Sequence, residues 1–144
     1  MEDCNVHSLI CDVAALAEGS VLMVRYEDMA KYDGEAGWFL PDDVLRELEH
    51  PTRAAARILK EQLGLEVDDE PRLGLIESFR GNNGTWHLSF HHVAELGSVP
   101  GIRPGPGVAT AQWFPLDSLP PRSEVAHNGW SLNVLKKIVG APAR

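Results

Sequence analysis

The chain has 144 residues, 44% of them hydrophobic and 24% charged, the make-up of one ordinary globular domain spanning residues 1–144. No apolar run nears the ~18 residues needed to cross a bilayer, and Met1 to Ser8 is too acidic and polar for a secretory signal, so a cytoplasmic protein is expected. With 21 acidic against 13 basic residues the net charge is −8, which disfavours a nucleic-acid polymer or an anionic membrane as partner and requires any phosphorylated ligand to be met by metal or local arginines.

Along the chain, Leu9 to Leu16 and the apolar run Val21-Leu22-Met23-Val24 flank Gly19-Ser20 and predict a hairpin. Cys4 and Cys11 match neither a zinc knuckle nor a redox pair, so both are expected as free thiols, with Cys11 buried. Glu27 to Gly37 reads as a loop that delivers Trp38-Phe39-Leu40, and Pro41 is expected to end that extended segment. Pro51 then opens the best-marked helix, Thr52 to Leu63, with Gly64 as its stop. Ala55, Ile58, Leu59 and Leu63 recur at spacings of three and four, a stripe able to face a sheet.

Leu73 to Phe79 and Trp86 to Val93 flank an Asn83-Gly84 turn signal and predict a second hairpin. Gly97 to Gly107 is too rich in glycine and proline for a helix, Thr110 to Phe114 reads as another strand, and Leu116 to Pro121 as a turn region. Trp130 to Val139 carries Leu132, Leu135, Ile138 and Val139 in an amphipathic pattern ending at Gly140, a closing helix. Pattern alone therefore predicts mixed α/β packing, with helices covering a mixed sheet. His87, His91 and His92 do not form a shared zinc site on a strand: His92 faces away, and the other two stand roughly 13 Å apart at ~3.3 Å per residue.

The segment Trp38-Phe39-Leu40-Pro41-Asp42-Asp43, continuing through Glu49 and Arg57 to Glu61, Gly64 and Leu65, resembles the Nudix box of the Nudix hydrolases. Glu49 falls at the first glutamate of that box, Arg57 at the arginine, Leu59 at the aliphatic, Glu61 at a later glutamate and Gly64-Leu65 at the closing pair. Four positions depart from it: Asp42-Asp43 stand where paired glycines would be, Ile58 replaces one glutamate and Gln62 another. Val21 to Arg25, Trp86-His87-Leu88 and Gln112 to Leu116 extend the resemblance over most of the chain.

The resemblance implies an α/β (α+β) fold, an α/β/α sandwich with a mixed β-sheet packed between helices. It also implies hydrolysis of the pyrophosphate bond in a nucleoside diphosphate linked to another moiety, with Mg²⁺ or Mn²⁺ as cofactor. It assigns Glu49, Arg57 and Glu61 to catalysis, Glu61 to metal, and Arg25 to a phosphorylated small-molecule ligand; Asp42 and Asp43 depart from the box but place two new carboxylates at its lead-in, and Asp43 is taken as a second candidate metal ligand. The residues themselves leave room for blander readings. Arg57 and Glu61, at i and i+4, also fit an ordinary helix-surface ion pair, Asp42 and Asp43 also fit solvated turn acids, and Arg25 alone also fits a surface residue.

Positions 58, 61 and 62 share one helix face, so three glutamates there would converge on one ion, whereas this chain offers Glu61 alone. Ile58 reads as core, and Gln62 keeps a carbonyl oxygen without charge, a weak ligand at most. The alternative to a hydrolase with a weakened metal site is thus a catalytically inactive, Nudix-like binding or regulatory module. A homodimer is compatible with either.

Overall fold

The computed structural model describes residues 7–82 and 84–139. Cys4, Asn83 of the turn signal and the Gly140 stop lie outside them. The elements in chain order are β1 (His7–Ala17), β2 (Ser20–Tyr26), β3 (Asp42–Val44), α1 (Pro51–Leu63), β4 (Arg72–Arg80), β5 (Trp86–Glu95), β6 (Val108–Pro115) and α2 (Ala126–Ile138). They form one six-stranded mixed sheet in the order β4-β5-β1-β2-β6, with β3 paired to β1. The expected hairpins and the strand near residue 110 are present, each longer than the apolar run that announced it.

At the centre, β1 runs parallel to β5 from His7↔Trp86 to Leu16↔Glu95. Residues 11, 13, 14 and 15 of β1 are fully buried because both faces of the strand are covered. Cys11, Val13 and Ala15 face the cluster built on Ala55, Ile58, Leu59 and Leu63 of α1. Ala14 faces the cluster that includes Val134, Leu135 and Ile138 of α2. Helices thus lie on both faces of the sheet, as the resemblance implied.

The hairpin stays closed for only two residue pairs, Leu16↔Val21 and Ala17↔Ser20. Beyond them the segment from Trp38 to Val44 enters between β1 and β2. Phe39 exchanges both backbone hydrogen bonds with Val24, and the Val13 N–H donates to the Pro41 carbonyl at 3.1 Å. Asp42, Asp43 and Val44 then pair with Asp12, Cys11 and Ile10. Pro41 sits at a bend that closes the Trp38-Phe39-Leu40 segment, as expected, and pairing resumes beyond it in β3; only the Pro41 carbonyl is used, so its missing N–H loses no partner.

α1 starts at His50, whose Nδ1 accepts from the Thr52 N–H at 3.1 Å, and it stops at Gly64 in the left-handed conformation, φ +67°. The irregular stretch after β5 supplies donors to the end of this helix: Arg103 N–H to Leu63 O at 2.9 Å and Gly105 N–H to Gln62 O at 2.7 Å.

α2 begins with a left-handed turn. His127, Asn128 and Gly129 have φ of 53°, 53° and 86°, so right-handed helix runs from Trp130, the start read from its apolar spacing. Such a turn costs about 1–2 kcal/mol per L residue and needs anchoring. The Ala126 N–H donates to Trp38 O at 3.0 Å, the His127 N–H to Glu35 Oε1 at 2.7 Å, and Arg122 Nη1 to Asn128 O at 2.9 Å. Among the described residues no helix is long and apolar enough to cross a membrane.

Candidate functional site

Arg57 projects from α1 into a knot of acids and is only 10% exposed. Its Nε and Nη2 donate to the two oxygens of Glu49 at 2.8 and 3.0 Å, a bidentate pair. Its Nη1 donates to Asp43 Oδ2 at 2.9 Å and Glu61 Oε1 at 3.3 Å, and Nη2 also reaches Val44 O at 3.1 Å. The Arg57 hydrogen bonds hold the Glu49 carboxyl below its usual range. Glu49, Arg57, Glu61 and Asp43, separate in sequence, are thus one cluster.

Arg46 joins that cluster and was not anticipated, because a loop residue before the helix carries no periodic signal. Its Nη2 donates to both oxygens of Glu61, at 3.1 and 3.0 Å. Three carboxylates, Asp43, Glu49 and Glu61, therefore share two guanidiniums.

One helix position further on, Gln62 is buried rather than facing water. Its amide nitrogen donates to the Asp42 carbonyl at 2.7 Å, and its amide oxygen accepts from the Tyr26 hydroxyl at 2.8 Å. The Asp42 N–H in turn donates to that hydroxyl at 2.9 Å. Gln62 is therefore not an available weak ligand: its oxygen is turned away, towards a tyrosine. Ile58 is fully buried in the core, as its place on the stripe implied.

Asp42 itself is 9% exposed, and among the described residues nothing hydrogen-bonds its carboxyl. Burial, then the charges of Asp12 and Asp43, push that carboxyl well above its ordinary range. It opens onto a cleft of about 760 Å³ that also takes in Lys31, Tyr32, Phe39, Asp43, His127 and Trp130. The left-handed turn before Trp130 is what brings His127 and Trp130 over this cleft.

Beneath Trp130 lies a second polar array, formed by residues facing one another across β4, β5 and β1. His91, fully buried, places Nδ1 2.7 Å from Asp12 Oδ1 and Nε2 2.9 Å from Glu77 Oε1. Glu77 also accepts from Trp130 Nε1 at 3.2 Å and Lys137 Nζ at 3.2 Å. Burial alone would lower the His91 imidazole, but the two carboxylates outweigh it and raise it. His92 points to the other face, towards Thr52 Oγ1 at 3.1 Å and Cys11 Sγ at 3.5 Å. The histidines are thus divided between the two faces, as strand alternation required.

Arg25 lies elsewhere. Its guanidinium carbon sits 4.5 Å from the centroid of the Trp38 ring, Nη2 is 3.9 Å from Glu124 Oε1, and it does not line the cleft.

The NUDIX domain profile matches residues 9–134. The chain belongs to the Nudix family. None of the curated proteins matches it. Among solved structures, a MutT NUDIX hydrolase from Burkholderia pseudomallei is similar at 22% identity, over 91% of this chain and 97% of that one, with a TM-score of 0.75. The NUDIX domain of Shewanella oneidensis NrtR, solved with ADP ribose, is similar at 18% identity over 79% of this chain and 76% of that one, with a TM-score of 0.67. A bifunctional NMN adenylyltransferase/ADP ribose pyrophosphatase from Francisella tularensis, complexed with AMP and a manganese ion, shares 16% identity and a TM-score of 0.69. There the match spans 90% of this chain but 41% of the longer one. At these identities the likeness is one of fold.

Nudix hydrolases use divalent metal, and a hard dication needs about six oxygens in near-octahedral array. The donors on this Nudix helix do not fit one. Ile58 offers none, Gln62 turns N–H groups towards the carbonyl of Asp42, and Glu61 has both oxygens on Arg46 and one also on Arg57. Among the described residues no three His, Cys, Asp or Glu side chains come together to hold a metal ion.

Proposed function

We propose that this protein is a ligand-binding Nudix domain that retains the cleft of the family and has given up efficient metal-dependent hydrolysis. The observation that carries the proposal is the substitution of bound positive charge by the chain's own groups. Arg46 and Arg57 neutralise Glu61 where a dication would otherwise do so, and the Gln62 amide approaches the Asp42 carbonyl with its positive edge. Arg57, with Glu49 and Asp43, then acts as a brace that fixes the loop after β3 against α1, rather than as part of a reaction centre.

The exposure of Arg46, 61%, and of Glu61, 48%, favours a second reading. Surface ion pairs hold weakly, about 0–1 kcal/mol, so a dication could displace Arg46 and leave a slow hydrolase. Against it, Arg57 stays fixed beside the same carboxylate.

The ligand we expect is a nucleotide-derived small molecule, and ADP-ribose, held by the Shewanella neighbour, is the first probe. Calorimetry should show ADP-ribose binding, while chromatographic assays for AMP and ribose 5-phosphate with Mg²⁺ or Mn²⁺ show no turnover above an EDTA control. Turnover that requires metal and disappears in Glu61→Gln would overturn the proposal in favour of the hydrolase.

A further inference from the structure

Six rings line the cleft in an unbroken arc. Tyr32 and Phe39 lie 5.7 Å apart between centroids, Phe39 and His127 6.3 Å, His127 and Trp130 5.8 Å, Trp130 and Phe79 5.0 Å, and Phe79 and His87 5.0 Å. All six border the same cleft as Asp42. The strands β4 and β5, the segment that carries Tyr32 and Phe39 and the left-handed turn of α2 cooperate to build this wall, and a packed core alone would not leave it facing a space.

The charged groups bordering the space are unevenly matched. Asp43 is held by Arg57. Asp33 accepts from the Asn82 N–H at 2.9 Å and stands 3.8 Å from His127 Nε2. Asp42 has neither hydrogen bond nor counter-charge among the described residues, and its charged neighbours Asp12 and Asp43 are both acids. Among the described residues no arginine borders the cleft, and Lys31 is its one lysine. With Asp42 nine-tenths buried and no partner at hand, its carboxyl favours the neutral form unless something brings positive charge to it. Among the six rings, Tyr32, Phe39, Phe79 and Trp130 are of the kind that attract an organic cation, because the face of such a ring carries the negative lobe of its quadrupole.

We propose that this end of the cleft takes a planar organic cation, an N-alkylated heteroaromatic ring, stacked against the aromatic arc with its positive charge against the Asp42 carboxylate. A bare dication is not the fitting occupant: one carboxylate supplies too few oxygens, and the neighbouring Asp42 carbonyl is already taken by Gln62. The inference rests on the binding-module reading and names the chemistry of part of its ligand.

The test compares two rings that differ in one methyl group and one charge, 1-methylnicotinamide and nicotinamide, by calorimetry and by the Trp130 indole N–H signal in NMR. The cation should bind at least roughly tenfold more tightly than the neutral ring and shift the Trp130 signal on binding. In Asp42→Asn that preference should vanish, while the circular dichroism spectrum and melting temperature remain, since the Asp42 carboxyl makes no hydrogen bond to lose.

Equal affinity for the two rings, no measurable binding of the cation, or a preference that survives Asp42→Asn would each overturn the inference. ADP-ribose is titrated and assayed for turnover in parallel. If ADP-ribose binds unhydrolysed while the two rings bind alike, the cation inference falls and the binding module stands. If the cation is preferred while ADP-ribose is hydrolysed with metal, the module falls and the cation site stands.

Discussion

The side-chain amide nitrogen of Gln62 lies 2.7 Å from the main-chain carbonyl of Asp42, at a helix position where the Nudix box has a glutamate. A glutamate there would point an oxygen at an oxygen unless a cation lay between them. Gln62→Glu should therefore destabilise the metal-free protein by about 1–3 kcal/mol, the range for a buried polar group left without its partner. Added Mn²⁺ should recover part of that loss in the variant and leave the wild type unchanged. Melting temperatures of both proteins with and without Mn²⁺ check it.

Arg57 and Arg46 touch the same glutamate with different consequences. Arg57 is largely buried and bonded to three acids, so Arg57→Ala should cost roughly 3 kcal/mol in urea denaturation, most of it from leaving Glu49 uncompensated. Arg46 is mostly exposed, and Arg46→Ala should stay within about 0.5 kcal/mol of wild type.

Stability should peak at mildly acidic pH. The folded state raises the His91 imidazole, so its contribution is full below the ordinary histidine value of about 6.5 and is lost as pH rises through the folded value. Glu49 and Glu77 are lowered, Glu49 chiefly by its Arg57 hydrogen bonds and Glu77 by Lys137 and His91 against an opposing burial effect. Their contribution is present above the ordinary carboxylate value of about 4 and is lost as pH falls through their folded values. Melting temperature measured across pH should therefore decline on both sides, and His91→Gln should flatten the alkaline decline.

Gly129 occupies φ +86°, and a Cβ there would lie 2.6 Å from Arg122 Cγ and Nη1. Gly129→Ala should destabilise by about 1–2 kcal/mol through backbone strain. It should also weaken binding of any ligand seated against Trp130, because the turn that presents that ring would shift. Denaturation and calorimetry on one sample separate the two effects.

The frame of the molecule was readable wherever a local rule decides it. The stripe Ala55, Ile58, Leu59 and Leu63 is buried, the right-handed part of α2 starts at Trp130, and the box spacing does bring Glu49, Arg57 and Glu61 together. The occupancy of the site was not readable in the same way. Gln62 is a ligand or a spacer according to which way its amide turns, and that depends on Tyr26, 36 residues away. Asp12 and His91 are 79 residues apart and meet through the parallel register of β1 with β5, which no local periodicity encodes. Pro41 was read as a stop and the backbone bends there, but the pairing of Asp42 to Val44 with β1 just beyond it depends on a partner strand about 30 residues away that no local signal names.

The ten-residue parallel ladder between β1 and β5 has a consequence for synthesis. During translation the central strand leaves the ribosome well before the chain that completes its longest edge, while β2 and β3 can engage it earlier. Until residues 86–95 emerge, β1 carries an unsatisfied edge and an apolar stretch from Cys11 to Ala15, apart from Asp12. Nascent chains halted before β5 should therefore be the aggregation-prone ones, and a chaperone's demand should fall once that strand docks.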